Sequence, residues 1–178
     1  MVRLRQVHGA TVVLADPDVV EAEGDALVTD RSDVVLLVRM ADCVPVLLAD
    51  AERRVVGAVH AGRRGVQAGV VSAAVAAMRE RGAQHIRAWI GPHVCGACYE
   101  VPAAMRAEVA AVVPAAHATT SWGTPSLDLG AGVAAQLTEA GVEAEHVGAC
   151  TMENASLHSY RRDGAESGRM GALIKVAP

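Results

Sequence analysis

Short runs of aliphatic residues, each bounded by polar or turn-forming residues, dominate the first third of the chain. Four of them lie at 10–16, 33–40, 44–50 and 54–60. Runs of this length that are rich in Val and Leu and bounded by Asp, Pro, Gly or Arg are typical of β-strands. The pattern therefore predicts four strands before the first long helix.

The period of the pattern changes after the fourth run. Segment 65–82 repeats small apolar residues every three or four positions, which predicts an amphipathic helix that stops at Gly82. The apolar face of this helix consists of Val66, Val70, Ala73, Ala74, Ala77 and Met78. Its Val- and Ala-rich surface is also the candidate surface for a homodimer.

The rest of the chain mixes the two periods. We predict helices at 101–113 and 126–141, and strands at 86–90, 146–150 and 169–177. Strands come first as a group and helices are interspersed later, which favours an α+β fold over a regular βαβ repeat. Neither a linker nor an internal repeat interrupts the pattern, so the sequence predicts one domain over 1–178.

Composition narrows the class of protein. Of the 178 residues, 52% are hydrophobic and 20% charged, which is typical of a globular chain. The chain has no Phe, two Trp and two Tyr, so Val, Leu and Ala must build the core. A net charge of −4 argues against a nucleic-acid partner. We find neither a membrane span nor a signal peptide, and expect a cytoplasmic protein whose four cysteines form no disulfides.

Three residues at predicted strand ends are candidates for chemistry. Cys43 follows Asp42 at the mouth of a strand, His8 precedes a strand, and His60 ends one. Two imidazoles and one thiolate suit Zn²⁺, and three protein ligands leave the fourth position open for water or substrate. A lone His or Cys is more often structural than a metal ligand, and spacing does not establish that the three meet.

Six stretches give the chain a specific resemblance. They are "RQVHGATV", "GDALVTD", "ADCVPVLLAD", "VGAVHAGRRGV", "IGPHVCGACYEV" and "HSYRRDGAESGRMGAL". In this order they resemble the YfiH/PgeF-like family, whose members are named laccase-domain or polyphenol oxidase proteins, purine nucleoside phosphorylases or peptidoglycan editing factor. The resemblance runs from about Arg5 to the C-terminus.

The resemblance implies a fold and a metal. The fold would be a two-layer domain of the YfiH/cytotoxic necrotizing factor-like type, with a mixed sheet and packed helices. Zinc would be bound by His8, Cys43 and His60. Cys43, His60 and Asp42 would form the catalytic group, in which Asp42 supports Cys43 without binding the metal. Copper, which the family names suggest, is discounted because three such ligands do not make a multicopper cluster. Relative to the family, the chain looks short at its N-terminus, where an Arg-Gly-Gly segment usually contributes to the phosphate site.

The family motifs also suggest residues that bind substrate. Arg63 stands where the family usually has Trp, and His158 where it usually has Phe. Arg64 and Gly65 lie at the start of the first long helix, which favours an anion. The complete set of candidates for substrate and phosphate binding is Arg63, Arg64, Gly65, Tyr99, Arg161 and Arg162.

The implied function is zinc-dependent chemistry on purine nucleosides. It comprises phosphorolysis of adenosine, inosine, guanosine or methylthioadenosine, and deamination of adenosine, with nucleoside and phosphate as the small-molecule partners. Three alternatives stay open. They are hydrolysis of a peptidoglycan precursor, a metal-free hydrolase with Cys43 as nucleophile and His60 as base, and an inactive truncated homologue that acts as a binding module.

The chain has three further cysteines beyond Cys43. Cys95 and Cys98 form a CxxC motif in a Gly-rich loop, and Cys150 offers a possible third ligand. A redox motif would be followed directly by a helix, and "YEVP" does not begin one. We therefore expect a structural role for Cys95 and Cys98, dispensable for the metal.

Overall fold

The computed structural model describes residues 1–18 and 20–177, which form twelve strands and five α-helices. The strands are β1 (Val2–Arg5), β2 (Val12–Leu14), β3 (Glu21–Glu23), β4 (Ala26–Thr29), β5 (Val35–Met40), β6 (Val44–Asp50), β7 (Val55–Ala61), β8 (Arg87–Ile90), β9 (His117–Thr119), β10 (Pro125–Leu127), β11 (Glu143–His146) and β12 (Met170–Lys175). The helices are α1 (Arg63–Gln67), α2 (Val70–Glu80), α3 (Ala103–Val112), α4 (Leu129–Glu139) and α5 (Tyr160–Asp163).

Two mixed sheets organise these strands. The larger sheet has six strands in the order β11-β8-β6-β7-β4-β2, antiparallel in the middle and parallel in its two outer pairs. The smaller has the order β12-β5-β1-β3, in which β1 runs parallel to both of its neighbours. Strands β9 and β10 form a separate antiparallel pair.

The larger sheet lies between two cores. Helices α2 and α4 pack on one face, and the four-stranded sheet packs on the other. All seven residues of β7 are buried because this strand is covered on both faces. The expected α+β class with a mixed sheet and packed helices is confirmed, and the four-stranded sheet is an addition that the pattern did not predict.

The predicted helix over 65–82 is two helices. Gly69 adopts φ 76°, a left-handed conformation that favours glycine, and it separates α1 from α2. Helix α2 turns Val70, Val71, Ala74, Val75 and Met78 into the core. The apolar face proposed for a homodimer is therefore used for packing inside the chain.

Two other predicted elements are corrected. The segment 126–141 begins as strand β10, and the helix starts only at Leu129, after Asp128 caps it by accepting the Ala131 N–H at 2.8 Å. The strand predicted at 146–150 instead ends at His146. Beyond it, Cys150 makes only an isolated bridge.

Within residues 1–18 and 20–177, we find no helix with the length and apolarity that crossing a bilayer requires. All four cysteines are free thiols.

Candidate metal and substrate site

The three predicted metal ligands converge. His8 lies on the connection between β1 and β2, Cys43 immediately precedes β6, and His60 lies in β7. The pairing of β6 with β7 sets Pro45 opposite His60 and so brings Cys43 beside it. One donor atom from each of the three residues lies within 4.8 Å of the other two.

The buried carboxylate of Asp25 fixes the backbone conformation at His8. Asp25 is fully buried and accepts the backbone N–H groups of Val7, His8 and Gly9 at 3.3, 2.9 and 2.7 Å. His8 has φ 61°, which is unusual for a residue with a side chain. The three hydrogen bonds from successive N–H groups hold this conformation.

Asp25 also orients His60. Its Oδ1 lies 2.9 Å from His60 Nδ1, which leaves Nε2 as the nitrogen that faces Cys43. A carboxylate that holds the far nitrogen of a metal-binding histidine is a recurring arrangement in metal sites. Burial opposes the charged imidazole, but the bonds to Asp25 and Cys43 raise the pKa of His60 to about 9.

The thiol of Cys43 is correspondingly acidic. Burial works against the thiolate, but hydrogen bonds from His60 and His8 lower its pKa to about 7. The pKa of Asp25 is also lowered, because the bonds from His60, Gly9 and His8 outweigh its burial. His60 therefore stands between an acidified thiol on one side and a buried carboxylate on the other.

The backbone closes tightly around the donors. A Cβ atom on Gly62 would lie 2.6 Å from His8 Cδ2 and 3.2 Å from Cys43 Sγ. Only glycine leaves room for both ligands at this position.

The donor set fits zinc. Bond lengths of about 2.0–2.3 Å place tetrahedral donors on the order of 3.5 Å apart, and the three donors lie within 4.8 Å of one another. A small contraction would bring them to this spacing, with one position left for a fourth ligand. Imidazole nitrogen and thiolate sulfur are the donors that zinc prefers.

The donor cluster opens into a cavity of about 800 Å³. Its lining includes His8, Asp42, Cys43 and His60 together with the charged and aromatic residues Arg5, Glu21, Arg39, Tyr99, Tyr160, Arg161 and Arg169. A smaller cavity of about 390 Å³, beside Leu47 and Trp89, has an almost wholly apolar lining, so it lacks groups for chemistry.

Two arginine–tyrosine pairs stand in the wall of the larger cavity. The Arg161 guanidinium lies 4.9 Å from the centre of the Tyr99 ring, and that of Arg169 lies 5.6 Å from the Tyr160 ring. Such pairs place a cation beside a flat ring. Burial is the main cause that raises the pKa of the Tyr99 hydroxyl. The positive charges of Arg161 and Arg63 lower this pKa but do not outweigh burial.

Asp42 supports the site through its contacts with a distant segment of the chain. Its Oδ1 accepts the Thr151 hydroxyl at 2.6 Å, and its Oδ2 accepts the Arg161 N–H at 2.6 Å. Both carboxylate oxygens thus bind the 151–161 segment. We interpret Asp42, which has φ 83°, as a positioning residue beside Cys43.

Arg162 is also occupied by the backbone. Its guanidinium donates to the carbonyls of Thr151, Asn154 and Leu157 at 2.9, 3.2 and 2.8 Å, and it pairs with Asp163. These bonds hold the loop together and favour a framework role for Arg162, whereas a contact with substrate stays a prediction.

The remaining predicted binding residues divide between wall and surface. Arg161 and Tyr99 line the cavity, and Arg63 is half-buried close enough for its charge to act on Tyr99. Arg64 is exposed and does not belong to the described residues that line the cavity. Gly65 is buried against the Gly9 carbonyl, where a Cβ would come within 2.9 Å.

Sequence reasoning missed several contributors. Asp25 could have been predicted from the "GDALVTD" stretch. It directly precedes a strand that is buried throughout, and a buried acid needs a polar partner. Arg39, Arg169 and Tyr160 carry no comparable local signal. They meet only because β5 ends, and β12 and α5 begin, at the same cavity.

A mixed α/β fold with a Cys-His₂ donor cluster at the mouth of an arginine-rich cavity defines the class of protein. Residues 1–177 match the family described as multi-copper polyphenol oxidoreductase laccase. The chain belongs to this laccase-like YfiH family.

Relatives and solved structures agree with this assignment. A purine nucleoside phosphorylase of Streptomyces coelicolor is 52% identical over 98% of this chain and 74% of its own length. A purine nucleoside phosphorylase of Mycobacterium tuberculosis is 48% identical over 98% of this chain and 71% of its own length. The crystal structure of YlmD from Geobacillus stearothermophilus superposes with a TM-score of 0.87 at 30% identity, covering 99% of this chain and 73% of that one. The crystal structure of YfiH from Bacillus licheniformis superposes with a TM-score of 0.83 at 27% identity, covering 99% of this chain and 74% of that one.

Proposed function

We propose that the protein is a zinc-dependent enzyme that acts on purine nucleosides. Its reactions would be phosphorolysis of adenosine, inosine, guanosine or methylthioadenosine, and deamination of adenosine. The observation that carries this proposal is the convergence of His8, Cys43 and His60 at a cationic cavity. The names of the relatives support it, and the free thiols fit a cytoplasmic location.

The cavity offers complementary groups for both substrates. The guanidinium groups of Arg39, Arg161 and Arg169 suit the oxygens of phosphate, which arginine binds through fixed pairs of N–H donors. The rings of Tyr99 and Tyr160 suit the flat purine. We propose that phosphate lies at the arginines and the nucleoside between them and the donor cluster.

The chemistry requires stabilised charge and a managed proton. In phosphorolysis, a phosphate oxygen bonds to the ribose C1′, the C1′–N9 bond breaks, and the purine leaves with the electron pair and takes up a proton. In deamination, water adds to C6 of the purine and ammonia leaves. A zinc ion held by His8, Cys43 and His60 would supply Lewis acidity at its open position. Asp25 holds the proton on His60 Nδ1, and the arginines stabilise negative charge on phosphate.

An assay with adenosine distinguishes the two reactions. The protein is incubated with adenosine, with and without phosphate, and adenine, inosine and hypoxanthine are measured separately. Phosphorolysis releases adenine only when phosphate is present, whereas deamination forms inosine in either case. Cys43→Ala and His60→Ala should abolish both, and His85→Ala, which removes an exposed imidazole, should abolish neither. If neither reaction occurs with the zinc-loaded protein, the proposal is wrong. Cleavage of a peptidoglycan precursor would then favour the editing hydrolase. If neither nucleoside nor precursor is turned over, the binding module is favoured.

The phosphate site has its own test. Arg161→Gln keeps the backbone N–H that Asp42 accepts but removes the guanidinium over Tyr99. We expect the KM for phosphate to rise by about 10–100-fold, corresponding to the roughly 1.5–3 kcal/mol of a hydrogen bond to a charged group. Arg87→Gln is the matched control, because Arg87 stacks on Trp89 away from this cavity. Equal phosphate KM values for the two variants would contradict the assignment.

A metal-free hydrolase is the second candidate, and the position of Asp25 favours it. Cys43, His60 and Asp25 form the sequence of contacts expected for a nucleophile, its base and the group that orients the base. The thiolate would bond to an acyl carbon, the leaving group would take a proton from His60, and water would release the acyl group. Activity that survives complete removal of metal, verified by elemental analysis, supports this candidate. Activity that is lost on removal and restored by zinc contradicts it.

A further inference from the structure

A second cluster of metal-binding side chains lies in the loops beside the cavity. It consists of Cys95, Cys98, Cys150 and Glu153, and one donor atom from each lies within 4.8 Å of all the others. Two ligands come from the CxxC motif, and the other two come from a segment more than 50 residues further along the chain. A CxxC motif alone offers only half of a metal site, and the fold supplies the other half.

Each loop is shaped so that its donors point together. In the first loop, the N–H groups of Cys98 and Tyr99 both donate to the Cys95 carbonyl at 3.0 Å, which forms a tight turn. In the second, the Asn154 N–H donates to the Cys150 carbonyl at 3.1 Å, which places Glu153 on the same turn.

The two loops are also joined to each other. Cys150 forms a parallel bridge with His93, and the Thr151 N–H donates to the His93 carbonyl at 3.0 Å. The Cys95 N–H lies 3.4 Å from Cys150 Sγ, an N–H···S contact of the kind that supports a thiolate ligand. The loops are therefore held at metal-binding separation by their own backbone.

The donor chemistry identifies the metal. Three thiolates and one carboxylate are ligands that tetrahedral zinc accepts, and thiolate-rich sites select against magnesium and calcium. Cys98 is 5% exposed, Cys95 and Cys150 are half-buried, and Cys98 Sγ lies 3.5 Å from Glu153 Oε1. Four protein ligands fill the coordination sphere, which is the property of a structural site and not of a catalytic one.

We propose that Cys95, Cys98, Cys150 and Glu153 bind a second zinc ion, which joins the 93–100 loop to the 150–157 loop. The neighbours of these ligands show what the joint would position. Tyr99, which follows Cys98, lines the cavity, and the Thr151 hydroxyl donates to Asp42 beside Cys43. The second ion would hold one wall of the cavity, whatever reaction takes place there.

Elemental analysis of the purified full chain tests the proposal. We expect two zinc ions per chain in the wild type and one in Cys95→Ser/Cys98→Ser. Cys43→Ser is the matched control, because it also replaces thiol with hydroxyl, and it should lose the other ion. If the double variant keeps as much zinc as the wild type, the second site does not exist. If the wild type holds one ion and only the double variant loses it, the second site stands and the first fails.

A spectroscopic measurement covers the case in which the double variant does not fold. Wild-type protein is stripped of zinc and loaded with Co²⁺, whose thiolate charge-transfer absorption grows with the number of bound sulfurs. With both sites filled, all four cysteines of the chain contribute, and Cys43→Ser should keep about three quarters of the intensity. Loss of the whole band in Cys43→Ser would overturn the proposal. A native mass lower by two hydrogens, from a disulfide within the cluster, would overturn it as well.

Discussion

Gly62 shows at the scale of one residue how little space surrounds the donor cluster. Gly62→Ala would set a methyl group 2.6 Å from His8 Cδ2, so His8 must move away from Cys43 and His60. We expect zinc at the first site to bind about 10–100-fold more weakly, the effect of displacing groups that orient metal ligands. Competition with a chelator of known affinity measures the change.

Gly9→Ala is the matched control for this substitution. It lies in the same site, but its new Cβ would meet Asp25 Oδ2 at 3.6 Å and Val7 at 3.8 Å, which are ordinary contacts. Its N–H remains free to donate to Asp25. Equal zinc affinities for the Gly62 and Gly9 variants would show that the close approach to His8 does not matter.

Residues differ in how far their role can be predicted from sequence. His8, Cys43 and His60 are recognisable because their residue types suit zinc and their motifs resemble those of a family. Asp42 is predicted from its motif to support Cys43, but nothing local indicates that the Thr151 hydroxyl and the Arg161 backbone N–H occupy its carboxylate. Partners more than 100 positions away are a property of the fold.

At the scale of elements, Asp50 ties the end of β6 to the segment that leads into β8. Its carboxylate is 1% exposed and accepts N–H groups from Arg53, Gln84 and His85 at 2.9, 2.6 and 2.8 Å. Burial raises the pKa of this carboxyl, but these bonds outweigh burial and lower it. Asp50→Asn should therefore reduce the free energy of unfolding by about 2–3 kcal/mol at neutral pH.

The lowered pKa also fixes how this loss depends on pH. A carboxyl with a lowered pKa in the folded state stabilises the protein above its unfolded pKa of about 3.9. That contribution disappears as the pH falls through the folded value. In urea unfolding, the difference between wild type and Asp50→Asn should be constant near neutral pH and narrow below about pH 4. Asp30→Asn, an exposed carboxylate paired with Arg81, is the control and should differ little from wild type throughout. A difference that widens in acid would contradict the assignment.

The elements that sequence patterns predicted well are those with a strong period and a clear stop. Strands β5, β6 and β7 agree closely with their aliphatic runs. The prediction of one continuous helix over 65–82 was wrong. The apolar period continues across Gly69, but the backbone there turns left-handed and ends the first helix. Strand β3 reads Glu-Ala-Glu and has no apolar signal, since it is an edge strand that pairs with β1 alone.

At the scale of the whole molecule, the donor cluster of His8, Cys43 and His60 joins the two sheets. His8 follows β1 of the four-stranded sheet, and His60 lies in β7 of the six-stranded sheet. Zinc at a hundredfold excess over its Kd adds about 2.7 kcal/mol to the free energy of unfolding. Thermal unfolding in excess zinc should thus give a Tm about 5–10 °C lower for Cys43→Ser than for wild type.

Hydrogen exchange tests whether that stabilisation reaches both sheets. In zinc, amides of β1 and of β7 should both exchange faster in Cys43→Ser than in wild type, because the ion no longer connects them. The His85→Ala variant should exchange like wild type. Faster exchange confined to β7 would show that the ion does not couple the sheets.

The burial of β7 on both faces has a consequence for how a bound ion leaves. His60 lies in a strand that cannot move without opening both cores, whereas His8 is exposed on a connecting segment. We expect the ion to depart by first losing His8 while still held by the other two ligands. The lifetime of the bound ion would then be set by Asp25, whose three hydrogen bonds keep the His8 segment in place.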